Sequence, residues 1–244
     1  MNISLSGKRV LITGAGRGIG RGLALRVAAC GAHVIAVART QADLDSLKAE
    51  CAAIETVACD LSDWAAARAT LEALGPIHSL VNNAGLAVLE PFMEVRPESV
   101  DAVFGINLKA VVNASQVVAR GMLARGEGGV IVNMSSQASM RPLADHAVYC
   151  ASKAALDQLS RVMALELGPQ GIRVNCVNPT VVLTEMGRLG WSEPAKAEPM
   201  LRAIPLRRFA EVEDVVDAVV FLLSDRAAMI SGVRLPVDGG FTAC

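Results

Sequence analysis

The 244-residue chain has no excess of charge of either sign: 23 Lys and Arg stand against 24 Asp and Glu, a formal net charge of −1. Without basic runs there is no electrostatic case for nucleic acid. Nor is there a polybasic case for an anionic membrane surface. No apolar stretch approaches the ~18 residues that a spanning helix needs. The one near 215–223 is interrupted by Asp217. No secretory apolar region precedes the first strand-like segment at 9–12, so the expectation is a cytoplasmic protein without a membrane partner. Cys-x-x-Cys pairs are missing. Most of the six cysteines (Cys30, Cys51, Cys59, Cys150, Cys176 and Cys244) fall in apolar segments. A reduced thiol there acts as a small hydrophobe, so neither a disulfide framework nor a metal site is expected. Cys244, at the end of the chain, is the thiol most disposed to react.

What the chain does have is apolar material: 52% hydrophobic residues against 19% charged, enough for a full core. The length suits one α/β domain spanning 1–244. Short segments rich in Val, Ile and Leu recur at Arg9–Thr13, His33–Ala38, 55–59, 79–81, 130–134, 173–177 and 233–237. Many are apolar on both faces, as in a parallel sheet covered on both sides. Helical periodicity fills the gaps at 19–30, with Gly31 as C-cap, and at Gln41–Glu50 after Thr40. It continues at 63–74 after Ser62, then at Pro97–Arg125, 149–167 and 211–224. Strand and helix in alternation predict a doubly wound parallel sheet of the Rossmann type. The stretch 184–205, broken by Gly187, Gly190, Pro194, Pro199 and Pro205, reads as a loop with short helical pieces. Loops at the carboxyl edge of such a sheet hold ligands.

The first strand runs into Gly14-Ala15-Gly16-Arg17-Gly18-Ile19-Gly20 and then a helix, the context of a dinucleotide loop. Glycines permit positive φ and close backbone approach. Exposed N–H groups at the helix start attract pyrophosphate. At the end of the second strand, an NAD site places an Asp or Glu for the ribose 2′-hydroxyl. Here Arg39 stands there, followed by Thr40, and Arg17 can converge with it from the loop. Two guanidinium forks suit a 2′-phosphate, so the expected cofactor is NADP(H).

The only tyrosine is Tyr149, and Lys153 follows four residues later, on the same helical face. A neighbouring ammonium favours the phenolate and lowers a phenol pKa that is otherwise ~10. A hydroxyl poised in this way can pass a proton to a developing alkoxide. Upstream, Ser135-Ser136 and Asn82-Asn83-Ala84-Gly85 end two predicted strands. Asn107 sits inside a predicted helix, where an Asn is unfavourable unless its amide has partners.

The ordered set Thr13-Gly14-x-x-x-Gly18-x-Gly20, Asn82-Asn83-Ala84-Gly85, Asn107, Ser136, Tyr149-x-x-x-Lys153 and Asn178-Pro179 resembles the short-chain dehydrogenase/reductase family along the whole chain. The resemblance implies a single-domain Rossmann fold and an Asn107–Ser136–Tyr149–Lys153 tetrad. In it Tyr149 is the general acid and Ser136 bonds the substrate oxygen. Lys153 lowers the Tyr149 pKa and holds the nicotinamide ribose, and Asn107 maintains a helix distortion and a water-linked proton relay. It implies that Asp60 and Leu61 flank the adenine. Asn83 meets the adenine-side ribose, with Ala84 and Gly85 beside it in the dinucleotide site. Pro179, Val182 and Thr184 border the nicotinamide.

Further stretches (39–47, 163–169, 178–182 and 239–244) resemble the tetrameric carbonyl-reductase branch of the family, which acts on small ketoses and α-dicarbonyls in carbohydrate metabolism. That likeness implies a homotetramer and substrate contacts from Gln137, Leu143, His146 and Trp191. The chain departs from the branch at Ala138, where a cysteine is expected, and at 141–145. His146 can bond a substrate hydroxyl or its own loop backbone; Trp191 can be a lid or a core anchor. Two other functions fit part of the pattern. One is a 3-oxoacyl-carrier-protein reductase, although Gly128-Gly129 and Gln170 stand where basic residues for an acidic carrier are expected. The other is a non-catalytic NADP(H)-binding sensor, which would have no need of the proton-transfer residues.

Overall fold

The computed structural model describes residues 3–244, apart from the side chain of Met186. Seven strands form one fully parallel sheet: β1 (Arg9–Thr13), β2 (His33–Ala38), β3 (Glu55–Ala58), β4 (Ser79–Asn82), β5 (Gly129–Met134), β6 (Ile172–Pro179) and β7 (Arg234–Val237). The spatial order is β3-β2-β1-β4-β5-β6-β7. Strand order therefore reverses between β1 and β4, and crevices at such a switch point open above the carboxyl ends of the strands.

The crossover helices are α1 (Gly18–Ala29), α2 (Gln41–Glu50), α3 (Trp64–Glu72), α4 (Pro97–Phe104), α5 (Ala110–Arg125), α6 (Ala147–Leu167), α7 (Glu185–Gly190), α8 (Pro194–Ala203) and α9 (Val212–Leu223). Side chains alternate across each strand, so β1 sends Val10 and Ile12 to one core layer and Leu11 to the other. The first layer packs under Leu23 and Val27 of α1 and Val215 and Val219 of α9. The second packs under Leu71 of α3 and Val118 and Met122 of α5. Each fully buried Leu, Ile or Val stabilises by about 1.5–3 kcal/mol relative to exposure. A third cluster, Met200, Ile204, Phe209 and Phe241, gathers the 184–205 segment onto the end of the chain.

The element order matches the sequence expectation, with three differences. The cap of α3 is Asp63, whose carboxylate accepts from the Ala66 N–H at 3.0 Å, rather than Ser62. Ser62 is diverted to Asp60, to which it donates through both N–H and hydroxyl. The expected helix Pro97–Arg125 is continuous but changes pitch: Gly105–Lys109 is a π-helical turn. Third, by length and apolar content alone this 29-residue run is long enough to cross a membrane. Asp101, Asn107, Lys109 and Asn113 interrupt it in sequence and hid that property. Half of its most apolar window is buried inside the protein.

Candidate active site

The glycine loop closes over the switch point. Thr13, at the end of β1, accepts from the N–H groups of Asn83 and Ala84 at 3.0 and 3.1 Å. The Asn83 amide donates back to the carbonyls of Thr13 and Gly14. The ends of β1 and β4 are thereby tied together. Gly14 has φ +65°, and a Cβ there would meet Ala84 Cα at 2.8 Å. A Cβ on Gly20 would lie 2.2 Å from the Gly14 carbonyl oxygen. The two glycines thus serve different needs, left-handed backbone in one case and close approach in the other. Helix α1 begins at Gly18 with no side-chain cap and no acid in its first turn. Its first N–H groups and the positive end of its dipole are left for an anion.

Arg17 and Arg39 are both exposed, beside this helix start and at the end of β2. Neither enters an ion pair among the described residues. Thr40 precedes α2 without bonding it through its side chain. The Asp60 carboxyl is held below the usual carboxylate value, chiefly by the bonds from Ser62, with Arg39 adding to the effect. Arg39 and Asp60 therefore share one end of the cleft, next to Leu61. The uncapped helix start, the glycine cradle and two unpaired guanidiniums fit a dinucleotide with a 2′-phosphate.

At the other end, α6 carries Tyr149, Lys153 and Asp157 at four-residue spacing, so they share a face. Lys153 is buried and donates to the Met134 carbonyl of β5 at 2.8 Å. Burial pulls its pKa down to about 8, opposed by the nearby Cys176 and Asp157. Its ammonium lies 5.7 Å from the Tyr149 ring centroid. Burial pushes the Tyr149 phenol above its ordinary value, while the Ser136 hydroxyl works in the opposite direction. This corrects the sequence expectation of a phenol acidified by Lys153. Burial outweighs the neighbours, and the phenol is protonated at neutral pH.

Asn107 is fully buried in the π-helical turn. Its Oδ1 accepts from the Leu86 N–H at 2.8 Å, and its Nδ2 donates to the Leu86 carbonyl and the Ser152 hydroxyl. It pins the segment after Asn83-Ala84-Gly85 to α6. Gly85 leaves the space there: a Cβ on it would lie 3.5 Å from Asn107 Oδ1 and 3.6 Å from Lys153 Nζ.

His146, three residues before Tyr149, lines a cleft of about 520 Å³ with Leu89, Leu143, Trp191, Lys196 and Met200; Tyr149 itself is not part of its wall. His146 stands edge-on to Tyr149, with centroids 6.2 Å apart, and its Nδ1–H donates to the Ala144 carbonyl at 2.5 Å. The backbone reading of His146 is therefore the one seen here; the bond uses Nδ1 and leaves Nε2 without a partner on a residue that lines the cleft. Trp191 packs on Phe209 at 5.5 Å and also lines the cleft, so it is anchor and wall together. Gln137 is buried with its Oε1 unpartnered. Pro179 ends β6, Val182 bridges to Ala210, and Thr184 caps α7 against Gly18, where a Cβ would be 3.2 Å from Thr184 Cγ2. Thr184 thereby brings the start of the 184–205 segment against the glycine loop. No cluster of metal-binding side chains occurs among the described residues.

Sequence reasoning missed two features. Arg141, in the loop that departs from the branch pattern, donates to the Phe241 carbonyl at 2.7 Å and stacks 4.3 Å over the Phe241 ring. The substrate loop is thereby tied to the end of the chain. The second is a buried network around Asp157, which receives bonds from Ser139 and Asn178. Its only sequence signal was an acid at four-residue spacing after Lys153, on a helix face that also buries Ser152 and Ser160.

A family profile described as "Enoyl-(Acyl carrier protein) reductase" matches residues 14–242. The chain is 61% identical to L-xylulose reductase of Mesocricetus auratus, over 99% of each chain. It is 56% identical to D-erythrulose reductase of Gallus gallus, over 98% of each. Among solved structures, it superposes on a gluconate 5-dehydrogenase from Burkholderia cenocepacia in complex with NADP and tartrate. The TM-score is 0.93 at 32% identity, covering 100% of this chain and 98% of the other.

Proposed function

This chain belongs to the short-chain dehydrogenase/reductase family, and on that premise we propose that it is an NADPH-dependent carbonyl reductase acting on L-xylulose or a similarly small ketose or α-dicarbonyl. Two relatives named for four- and five-carbon ketose reduction, at 56% and 61% identity over nearly the full length, support the substrate class. The observation that carries the reading is the convergence of Tyr149, Ser136, Lys153 and Asn107 beside an uncapped helix start flanked by Arg17 and Arg39.

In this reading Asp60, Leu61, Asn83, Ala84 and Gly85 would hold the adenine half of the dinucleotide. Arg17, Arg39 and Thr40 would hold its 2′-phosphate, and the loop Gly14–Gly20 its pyrophosphate. Pro179, Val182 and Thr184 would border its nicotinamide half. The cofactor, when bound, would supply a hydride for the carbonyl carbon. Ser136 bonds the carbonyl oxygen, and Tyr149 gives that oxygen its phenolic proton. A phenol whose ordinary pKa of ~10 is raised further by burial starts in the protonated state this donation requires. Lys153 offsets the negative charge left on Tyr149 and holds the nicotinamide ribose. Asn107 keeps the π-turn and its hydrogen bonds in place for the proton's replacement through water. Gln137, Leu143, His146 and Trp191 form the substrate wall.

The protein acts as a cytoplasmic homotetramer without nucleic-acid or membrane partners. Uncovered apolar surface supports assembly, since Phe92, Met93 and Leu165 are 77%, 89% and 77% exposed. The six free cysteines suit a reducing compartment. Steady-state NADPH oxidation with L-xylulose, D-erythrulose, diacetyl and an acetoacetyl thioester tests the reading. Turnover is expected with the first three. Activity confined to the thioester would make the enzyme an acyl-chain reductase, and no activity with any would leave it a binding protein.

A further inference from the structure

Asp157 has no part in the reaction outlined above, yet the site is built around it. It lies on α6, one turn beyond Lys153 and two beyond Tyr149, and only 4% of it is exposed. Burying a carboxylate is expensive unless its oxygens are bonded or a cation compensates. No Lys or Arg forms an ion pair with it among the described residues. Its bonds come from two elements that frame the substrate oxygen. The Ser139 hydroxyl donates to Oδ2 at 2.6 Å, and Asn178 Nδ2 lies 3.1 and 3.2 Å from its two oxygens. The Ser139 hydroxyl also lies 2.8 Å from the Ser136 carbonyl. With one proton to give, it serves the shorter, charge-assisted partner. Asn178 Nδ2 also reaches the Ser136 carbonyl at 3.2 Å. The turn carrying Ser136 is therefore moored to α6 through Asp157.

Among the described residues the same carboxylate is the only one that acts on the Lys153 ammonium. From α6 the neighbouring titratable groups are Tyr149 and Asp157. From β6 it is the Cys176 thiol, which burial and Asp157 push up to about 12, so that it stays neutral. Strand β5 offers the Met134 carbonyl and Ser135, and the π-turn offers Asn107; none carries charge. Asp157 is among the groups that oppose the burial effect on Lys153.

We propose that Asp157 is a positioning residue for carbonyl reduction. Its buried carboxylate moors the Ser136–Ser139 turn to the catalytic helix and serves Lys153 as counter-charge. One group thus sets both the hydroxyl that bonds the substrate oxygen and the ammonium beside Tyr149. The proposal rests on the family reading of Tyr149, Ser136 and Lys153.

The test compares D157N, D157E and S139A with wild type by the pH profile of kcat, the NADPH Kd and the thermal midpoint. D157N keeps shape but loses charge. It should lower kcat by about 10–100-fold, in the range of one misplaced catalytic group, with NADPH Kd within threefold of wild type. The alkaline fall in its reductive kcat should move to lower pH by about one unit, because an ammonium without a counter-charge releases its proton more readily. D157E should restore the pH profile with kcat still reduced. S139A should lower kcat with an unshifted profile, and it retains the core if D157N fails to fold. A D157N enzyme with lowered thermal midpoint but wild-type kcat and pH profile overturns the proposal. So does an S139A enzyme with wild-type kcat. Y149F run alongside separates the two layers. If Y149F keeps full activity, the family reading itself fails; if Y149F is dead while D157N behaves as wild type, only the role of Asp157 fails.

Discussion

Lys153 donates to the carbonyl of Met134 at 2.8 Å, two residues before Ser136 on the strand that delivers it. The ammonium is thus fixed by the backbone of β5 rather than by an ion pair, inside the protein, with its pKa pulled down to about 8.

That burial makes a stability prediction. An unfolded lysine keeps its proton to about pH 10.4. Below pH 8 both states hold the proton. Between about 8 and 10.4 the unfolded chain holds it and the native chain releases it, so the native state gains as pH rises. The gain is at most about 3 kcal/mol. Denaturant unfolding of wild type and Lys153→Met at pH 7.5, 8.5 and 9.5 checks this. The stability of the Met variant relative to wild type should fall steadily across the series, any advantage shrinking and any deficit widening; a constant difference means that Lys153 titrates normally.

Tyr149→Phe removes the phenolic proton and little else. The loss in kcat should be about 10²–10⁴-fold, the usual share of a general acid, while NADPH Kd by fluorescence titration stays within a few-fold. In wild type the phenol, already neutral at its ordinary pKa of ~10, is pushed further from the neutral range by burial. The reductive rate should therefore fall with rising pH only once Lys153 begins to lose its proton, near 8. A fall centred near pH 6 would place the titration on another group.

Much of this was readable in the sequence because it depends on local pattern. Both-face apolar strands, the glycine loop and the Tyr149–Lys153 spacing are periodicities that no tertiary context is needed to see. The strand list held to within a residue or two, and β6 ran to Pro179 because β7 pairs with it as far as that residue. What escaped depends on burial. The direction of the Tyr149 shift is set by how much water the site excludes, which spacing does not encode. Ser62 lost the α3 cap to Asp63 because Asp60, two residues earlier, competed for it. Asp157 looked like an ordinary helix acid until Ser139 and Asn178 arrived from 18 and 21 residues away.

Arg39→Asp tests how the cofactor is chosen. Arg39 is exposed and unpaired by any acid, with Asp60 influenced by it from the cleft. The substitution should cut kcat/KM for NADPH by at least about tenfold, the ~1.4 kcal/mol or more that a charge-assisted phosphate contact supplies. It should also raise the preference for NADH, since a carboxylate suits a free ribose hydroxyl. An unchanged NADPH/NADH ratio assigns the 2′-phosphate to Arg17 alone.

Gly20→Ala probes the loop by steric means. Its Cβ would sit 2.2 Å from the Gly14 carbonyl oxygen and 2.4 Å from Asn83 Nδ2. Both are part of the bonding that ties β1 to β4. Neither can move without breaking the Asn83 bonds to Thr13 and Gly14. The variant should lose thermal stability by about 1–3 kcal/mol, the usual range for an overpacked site, and NADPH affinity should fall with it. A variant that binds NADPH normally would show that α1 can slide away from the loop.

His146→Leu separates wall from chemistry. His146 gives its Nδ1–H to the Ala144 carbonyl, leaving Nε2 without a partner, and lines a cleft whose other polar walls are Asp145 and Lys196. A hydroxylated ketose needs a polar partner there, and diacetyl does not. A lost hydrogen bond to a substrate hydroxyl costs about 0.5–1.5 kcal/mol, so kcat/KM for L-xylulose should fall about 3–10-fold more than for diacetyl. Both substrates would fall together if the Ala144 bond were the whole role, because the loop carrying Leu143 and Asp145 would then shift for every substrate alike. Asp145, held at φ +62° with its carbonyl bonded to the Glu90 N–H, is the part of that loop with least freedom to compensate.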